Sequence, residues 1–311
     1  MAPVSIPASP EEMRHRKMVK RGLKLCFMVC GERGTGKSTF INTLCDQVIE
    51  PPLSEGTHGS WESPGLEIYT QIVDVVEKGS TPISLQIVRT PGLGDNLDNT
   101  ECPTKILEYL ERQFDDILSE ECRIRRNPRS LDNRVHVVLY FIRPTGKGLR
   151  EIDILTMKVL SKSANVIPLL SKADLLTDEE LKLNKVHAMQ DIATHGIPIY
   201  DFASDIDDAD SFEEARELQS LLPFAIVSSK TKRVIDGKEY HVREYPWGTV
   251  KVEDPSQSDF VALKTVLFGS HMQEFKDVTH SYLYEKYRTN KLSTGGGVPS
   301  VKADNPKTGD I

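Results

Sequence analysis

Three stretches of the chain are apolar almost without interruption over the length of one strand: LKLCFMVC (Leu23–Cys30), VHVVLYFI (Val135–Ile142) and NVIPLL (Asn165–Leu170). Runs of this kind predict strands buried on both faces, the pattern of a parallel sheet covered by helices. LEIYTQIVDVV and ISLQIVR predict two more strands around a short turn at Lys78–Pro82. PFAIVSS (Pro223–Ser229) predicts another, and RVIDGKEYHVREYPWG predicts a hairpin turning at Asp236-Gly237. Between them the apolar positions predict helices through Phe40, Ile41 and Leu44, over Thr104–Leu118, over residues 177–194 and over Asp259–Arg288. Strands that alternate with helices in this way predict an α/β fold of three layers.

The ends read differently. Residues 1–22 predict an N-terminal extension whose basic helix starts near Glu11, residues 23–290 a single folded domain, and residues 291–311 a disordered Gly/Pro/Ser-rich tail without coiled-coil heptads. Residues 49–66, with Pro51, Pro52 and Pro64, predict a loop, and the acidic run Asp205–Glu217 a solvated loop.

Composition narrows the class. No apolar run approaches the roughly 18 residues that span a bilayer, which excludes a membrane-spanning helix. The basic start has no apolar segment behind it, so no secretory signal is expected. Five cysteines without a CxxC pair predict small buried hydrophobes in a reducing, cytoplasmic compartment. A net charge of −7 excludes whole-surface attraction to nucleic acid. The basic stretch Arg123, Arg125, Arg126, Arg129 and Arg134 lacks interleaved aromatics and predicts a structural or interface role instead.

The candidate chemistry begins at Gly31-x4-Gly36-Lys37-Ser38, placed between a buried strand and a helix. Glycines let such a loop curl so that its N–H groups meet phosphate oxygens, and the helix start adds its positive dipole end. Gly31, Gly34, Thr35, Gly36, Lys37, Ser38 and Thr39 are therefore candidate phosphate-binding residues, with Ser38 the one candidate metal ligand. Ser171-Lys172-Ala173-Asp174 follows a strand, where an xKxD sequence reads guanine: the carboxylate accepts two N–H groups that adenine does not offer. Thr90-Pro91-Gly92 resembles the element whose glycine meets a γ-phosphate, but its acidic position is Arg89. That carboxylate normally holds a water on Mg²⁺. Thr57 and Ser63 are the nearest hydroxyls for the other side of a metal, and neither falls into place. GTP or GDP is thus the expected ligand, Mg²⁺ is in doubt, and hydrolysis is expected to be slow or lost.

Longer motifs point further. RIRRNPRSLDNRVHVVLYFIRPTGKGLREIDI (Arg123–Ile154), VREYPWG (Val242–Gly248) and HMQEFKDVTHSYLYEKYR (His271–Arg288) resemble septins, and the likeness runs from about Arg14 to Leu292. The chain is most similar to fungal septins of the type at the ends of hetero-octamers. The resemblance implies a Ras-like P-loop NTPase fold with septin-type additions, namely a C-terminal hairpin and helices. It implies a GTP-binding subunit of hetero-oligomeric filaments and rings that scaffold cytokinesis and septum formation at the membrane. By position, Arg243 matches the arginine that packs on guanine and Ser228 stands at the family's glycine beside the base; Gly92 joins the GTP-binding set. Trp247 and Lys147, the latter replacing a histidine, fall at the nucleotide-side interface. Arg14, Arg16, Lys17, Lys20 and Arg21 become candidates for anionic lipid, each cation contributing about 1 kcal/mol near a charged leaflet. The implied partners are other septins and anionic membrane lipids, with no nucleic acid, at a cytoskeletal ring of the division site or cortex. Two other readings stay open, an active hydrolytic GTPase switch and an adaptor that binds no nucleotide.

Overall fold

The computed structural model describes residues 23–49, 68–75, 82–91, 93–94, 99–123, 132–203 and 209–293. The expected basic N-terminal helix, the loop through Pro51, Pro52 and Pro64, and the tail beyond Ser293 lie outside these residues.

Each uninterrupted apolar run forms a strand: β1 (Leu23–Gly31), β4 (Val137–Ile142) and β5 (Asn165–Ser171). With β2 (Tyr69–Val75), β3 (Ile83–Arg89) and β6 (Phe224–Ile226) they make a six-stranded sheet, ordered β2-β3-β1-β4-β5-β6. β2 pairs antiparallel to β3, and the other four pairings are parallel. All of β4 and β5 is buried, as an interior parallel strand requires.

Side-chain alternation along β1 sorts the core into two layers. Leu25, Phe27 and Val29 pack with Phe40, Ile41 and Leu44 of α1 (Lys37–Cys45). Cys26, Met28 and Cys30 face the other way, toward Ile106 and Leu110 of α2 (Cys102–Glu121) and Met157 and Leu160 of α3 (Glu151–Leu160). The expected three-layer α/β architecture is the observed one.

α4 (Asp178–Thr194) starts as its sequence dictates. Thr177 is the N-cap, its Oγ1 accepting from the Glu180 N–H, while the Glu180 carboxylate accepts from the Thr177 N–H at 2.9 Å. The acidic run is not the expected loop throughout, because α5 occupies Ala209–Ser220. Ala215 is the reason: it is 2% exposed and, with Leu218, packs on the core at helical spacing, leaving the acids outside.

The predicted hairpin is the first half of a three-stranded meander. β7 (Lys232–Ile235) and β8 (Lys238–Tyr245) turn at Asp236 and Gly237, whose φ values of 52° and 78° make the mirror-image turn that matches strand twist. β9 (Gly248–Lys251) then pairs with β8, Tyr245 opposite Gly248, so that Pro246 and Trp247 form a second two-residue turn. The closing helix is also segmented. α6 (Phe260–Thr265), α7 (Met272–Val278) and α8 (Glu285–Ser293) alternate with π-helical stretches at Val266–Ser270 and Thr279–Tyr284. The wider turns let Val266, Leu267, Met272, Phe275, Thr279 and Tyr284 all reach the interior. α8 runs to Ser293, past the expected domain end at residue 290.

Where the parallel strands begin, a buried polar cluster ties the sheet to this helix. His136 Nδ1 accepts from the Cys26 N–H at 3.0 Å. The His136 carbonyl accepts from Asn165 Nδ2 at 2.8 Å and from the Thr279 hydroxyl at 3.3 Å. Where the strands end, the loops after β1, β3, β4, β5 and β6 gather along one edge, the position at which open α/β sheets bind ligands.

Candidate functional site

The loop after β1 has the shape its glycines allow. Gly31 has φ 136°, and a Cβ there would lie 2.5 Å from the Phe141 carbonyl oxygen of β4, so glycine is the residue the packing admits. Gly34 and Gly36 have φ of 79° and 90°, and Gly36 is the N-cap of α1, which turns the first N–H groups of that helix into the loop. Thr35 is buried and its hydroxyl donates to the Glu32 carbonyl at 2.8 Å. The Lys37 amine folds over the loop and donates to the carbonyls of Gly31 and Glu32, each at 2.6 Å. Ser38 and Thr39 follow in the first turn of α1, half-buried. Curled backbone donors, a lysine at their centre and a helix N-terminus fit a di- or triphosphate.

The base end lies above this loop. A Cβ on Gly36 would stand 3.7 Å from Ser228 Oγ, which brings the segment after β6 onto the phosphate loop. Lys172 takes φ 53° and Asp174 sits in a 3₁₀ turn, Ala173–Leu175, after β5. The Asp174 side chain is fully shielded from solvent. Arg243 Nη1 donates to Oδ1 at 3.2 Å and forms an ion pair with Oδ2 at 3.0 Å, and the Tyr245 hydroxyl donates to Oδ2. The Arg243 guanidinium lies 5.5 Å over the Tyr245 ring, and Tyr245 stacks on Trp247 at 4.8 Å with the planes 7° apart. Trp247 itself is 69% exposed. Burial and the bond to Asp174 push the Tyr245 phenol up to about 12.

Lys147 stands on the loop between β4 and α3, which is clamped at both ends and in the middle. Arg143 and Arg150 donate to Glu32 of the phosphate loop at 3.3 and 2.9 Å. Asn184, His187 and Asp191 of α4 hold the loop through the Gly146 N–H (2.8 Å), the Gly146 carbonyl (3.1 Å) and the Leu149 N–H (2.7 Å). These three share one helix face by their spacing. Arg150 also pairs with the buried Asp153 at 3.0 Å; burial alone lowers its pKa, but the bonds to Asp153 and Glu32 raise it on balance. Lys147 is thereby presented to solvent on a fixed loop.

Arg89 ends β3 opposite Val29 of β1. Strand alternation with Leu85 and Ile87 puts it on the face that packs against α1, the helix whose second residue is Ser38. Burial pulls its guanidinium below the ordinary value, yet an arginine remains cationic near neutral pH. A guanidinium here does not fit the outer shell of a divalent cation, whereas it suits phosphate charge.

The structure therefore brings together Gly31, Gly34, Thr35, Gly36, Lys37, Ser38, Thr39, Lys172, Asp174, Ser228 and Arg243 along one sheet edge. Gly92 and the basic cluster Arg14, Arg16, Lys17, Lys20 and Arg21 lie outside the described residues, as do Thr57 and Ser63. Sequence reading missed Tyr245, although it shares a β8 face with Arg243, and it missed the Glu32 clamp, for which no local pattern gives a signal.

The septin family model matches residues 21–299. Cell division control protein 11 of Saccharomyces cerevisiae is 44% identical over 288 residues, covering 90% of this chain and 69% of that protein. Septin homolog spn3 of Schizosaccharomyces pombe is 41% identical over 283 residues, covering 90% of this chain and 76% of its own length. The crystal structure of Cdc11 from Saccharomyces cerevisiae superposes with a TM-score of 0.58 at 33% identity, covering 87% of this chain and 100% of that one.

Proposed function

Because the chain belongs to the septin family, we propose that it is a guanine-nucleotide-binding septin subunit which assembles with other septins at the division site. The observation that carries the reading is the position of the phosphate loop and the Lys172/Asp174 loop along one sheet edge, with Ser228 against Gly36. In this role the nucleotide is a structural element: a ligand bound only by the folded state stabilises it whether or not it is turned over. Gly31, Gly34 and Gly36 shape the phosphate cradle, Lys37 and Arg89 supply positive charge, and Asp174 reads the base. Arg89 argues against a Mg²⁺-centred hydrolytic switch, so turnover is slow or absent. Exposed Trp247 and the clamped Lys147 belong to the face presented to a neighbouring subunit. The basic N-terminal residues Arg14 to Arg21 add salt-sensitive attraction to anionic lipid, made firm by the multivalency of a polymer.

The test is the nucleotide content of purified protein, denatured and separated by chromatography. Guanine nucleotide near one per chain is the expected result, and an empty site under all conditions overturns the nucleotide reading. Steady phosphate release that Ser38→Ala abolishes would make the protein a hydrolytic switch instead.

A further inference from the structure

The carboxylate expected to read guanine is already engaged by the protein itself. Guanine offers two N–H donors and needs both oxygens of Asp174. Arg243 donates to Oδ1 at 3.2 Å and lies 3.0 Å from Oδ2 in an ion pair, and the Tyr245 hydroxyl donates to Oδ2, so both oxygens are engaged. The side chain they cover has no solvent exposure. Arg243 and Tyr245 project from the same face of β8, two residues apart, so they act as one unit with the meander that carries them. Their own packing continues outward. The guanidinium lies over the Tyr245 ring, and that ring stacks flat on Trp247, which faces solvent from the turn before β9.

We infer that Arg243 and Tyr245 form a latch on Asp174 which competes with guanine for the same acceptor oxygens, so that guanine nucleotide enters as the β8 side chains let go. The inference rests on the reading of Asp174 as the guanine-specific residue. The phosphate cradle has its own bonds, Lys37 donating to the carbonyls of Gly31 and Glu32, and adenine nucleotides, which make no such demand on Asp174, fall outside the competition. The latch also satisfies a buried charge, since an unpartnered carboxylate so shielded would be strongly unfavourable. A guanine that arrives replaces one set of donors with another.

The experiment compares wild type with Tyr245→Phe, which keeps the ring stacked on Trp247 and removes the hydroxyl. Isothermal titration of the full chain, stripped of nucleotide, is carried out with GDP and with ADP. Losing a donor to a charged acceptor that competes with ligand is expected to tighten GDP about tenfold, with ADP unchanged. Trp247→Ala, which removes the outer support of the ring, is expected to give a smaller gain for GDP in the same direction. Equal GDP affinities for wild type and Tyr245→Phe overturn the latch while leaving nucleotide binding intact, and so does an equal gain for GDP and ADP. If neither wild type nor Tyr245→Phe binds GDP, the nucleotide reading itself fails and the latch fails with it.

Discussion

His136 allows a quantitative forecast at the end of the sheet away from the nucleotide edge. It is 5% exposed, and its Nδ1 accepts the Cys26 N–H, which requires the neutral ring with its proton on Nε2. Burial lowers its pKa from 6.5 to about 4; Asp132 opposes the shift, while Lys276 and Arg134 reinforce it. The unfolded chain therefore takes up a proton as pH falls through 6.5, whereas the folded chain does not until about pH 4. Stability is intact above the unfolded value and is lost in the window between the two. Each pH unit of difference is worth about 1.4 kcal/mol, so the loss between pH 7 and pH 5 is about 2 kcal/mol, rising to about 3 kcal/mol below pH 4. His136→Asn keeps an acceptor near Cys26 without a titrating group. Urea unfolding at pH 7, 6 and 5 is expected to show the wild type losing about 2 kcal/mol more than the variant over this range. Parallel curves for the two proteins, or a His136 ring resonance that titrates near 6.5, would refute the reasoning.

Three other perturbations probe the site and its support. Nucleotide retention by wild type is expected to survive EDTA because Arg89 supplies counter-charge to the phosphates, and Arg89→Asp is expected to make retention metal-dependent; chromatography of released nucleotide decides it, and equal stripping of both proteins would count against the idea. Phe40 is fully buried and meets Phe141 and Phe260 edge-on at 5.2 and 5.9 Å, so Phe40→Ala is expected to cost about 3–5 kcal/mol in denaturant unfolding. Asp191→Ala removes the acceptor of the Leu149 N–H, and limited trypsin digestion is expected to cut after the exposed Lys147 about tenfold faster, while an unchanged rate would mean that Asn184 and His187 suffice.

Much of this molecule was legible in one dimension because its signals are local. An apolar run without alternation has nowhere to go but the inside of a covered sheet, so β1, β4 and β5 followed from LKLCFMVC, VHVVLYFI and NVIPLL. Asp236-Gly237 is a turn because its backbone needs two positive φ angles. Gly31 to Ser38 is a phosphate loop because spacing, strand and helix are all contiguous in the chain. The septin likeness rested on equally contiguous motifs, and family comparison agrees with it.

What the chain order left undecided depends on contacts between distant residues. The acidic stretch became α5 in part because Ala215 found a place in the core, which no count of charges reveals. The closing helix keeps its periodicity, but its π-helical turns are set by which side chains must reach the sheet. Asp174 and Tyr245 lie 71 residues apart, and Glu32 and Arg143 are separated by 111. Sequence alone determined the fold class and marked the phosphate-loop pattern and Asp174 as the residue proposed to read guanine, since each is written in a local pattern. Tertiary structure decided what that residue is bonded to, because hydrogen-bond partners are chosen by proximity in the folded state and the chain brings them together only when the β8 meander packs over the loop after β5.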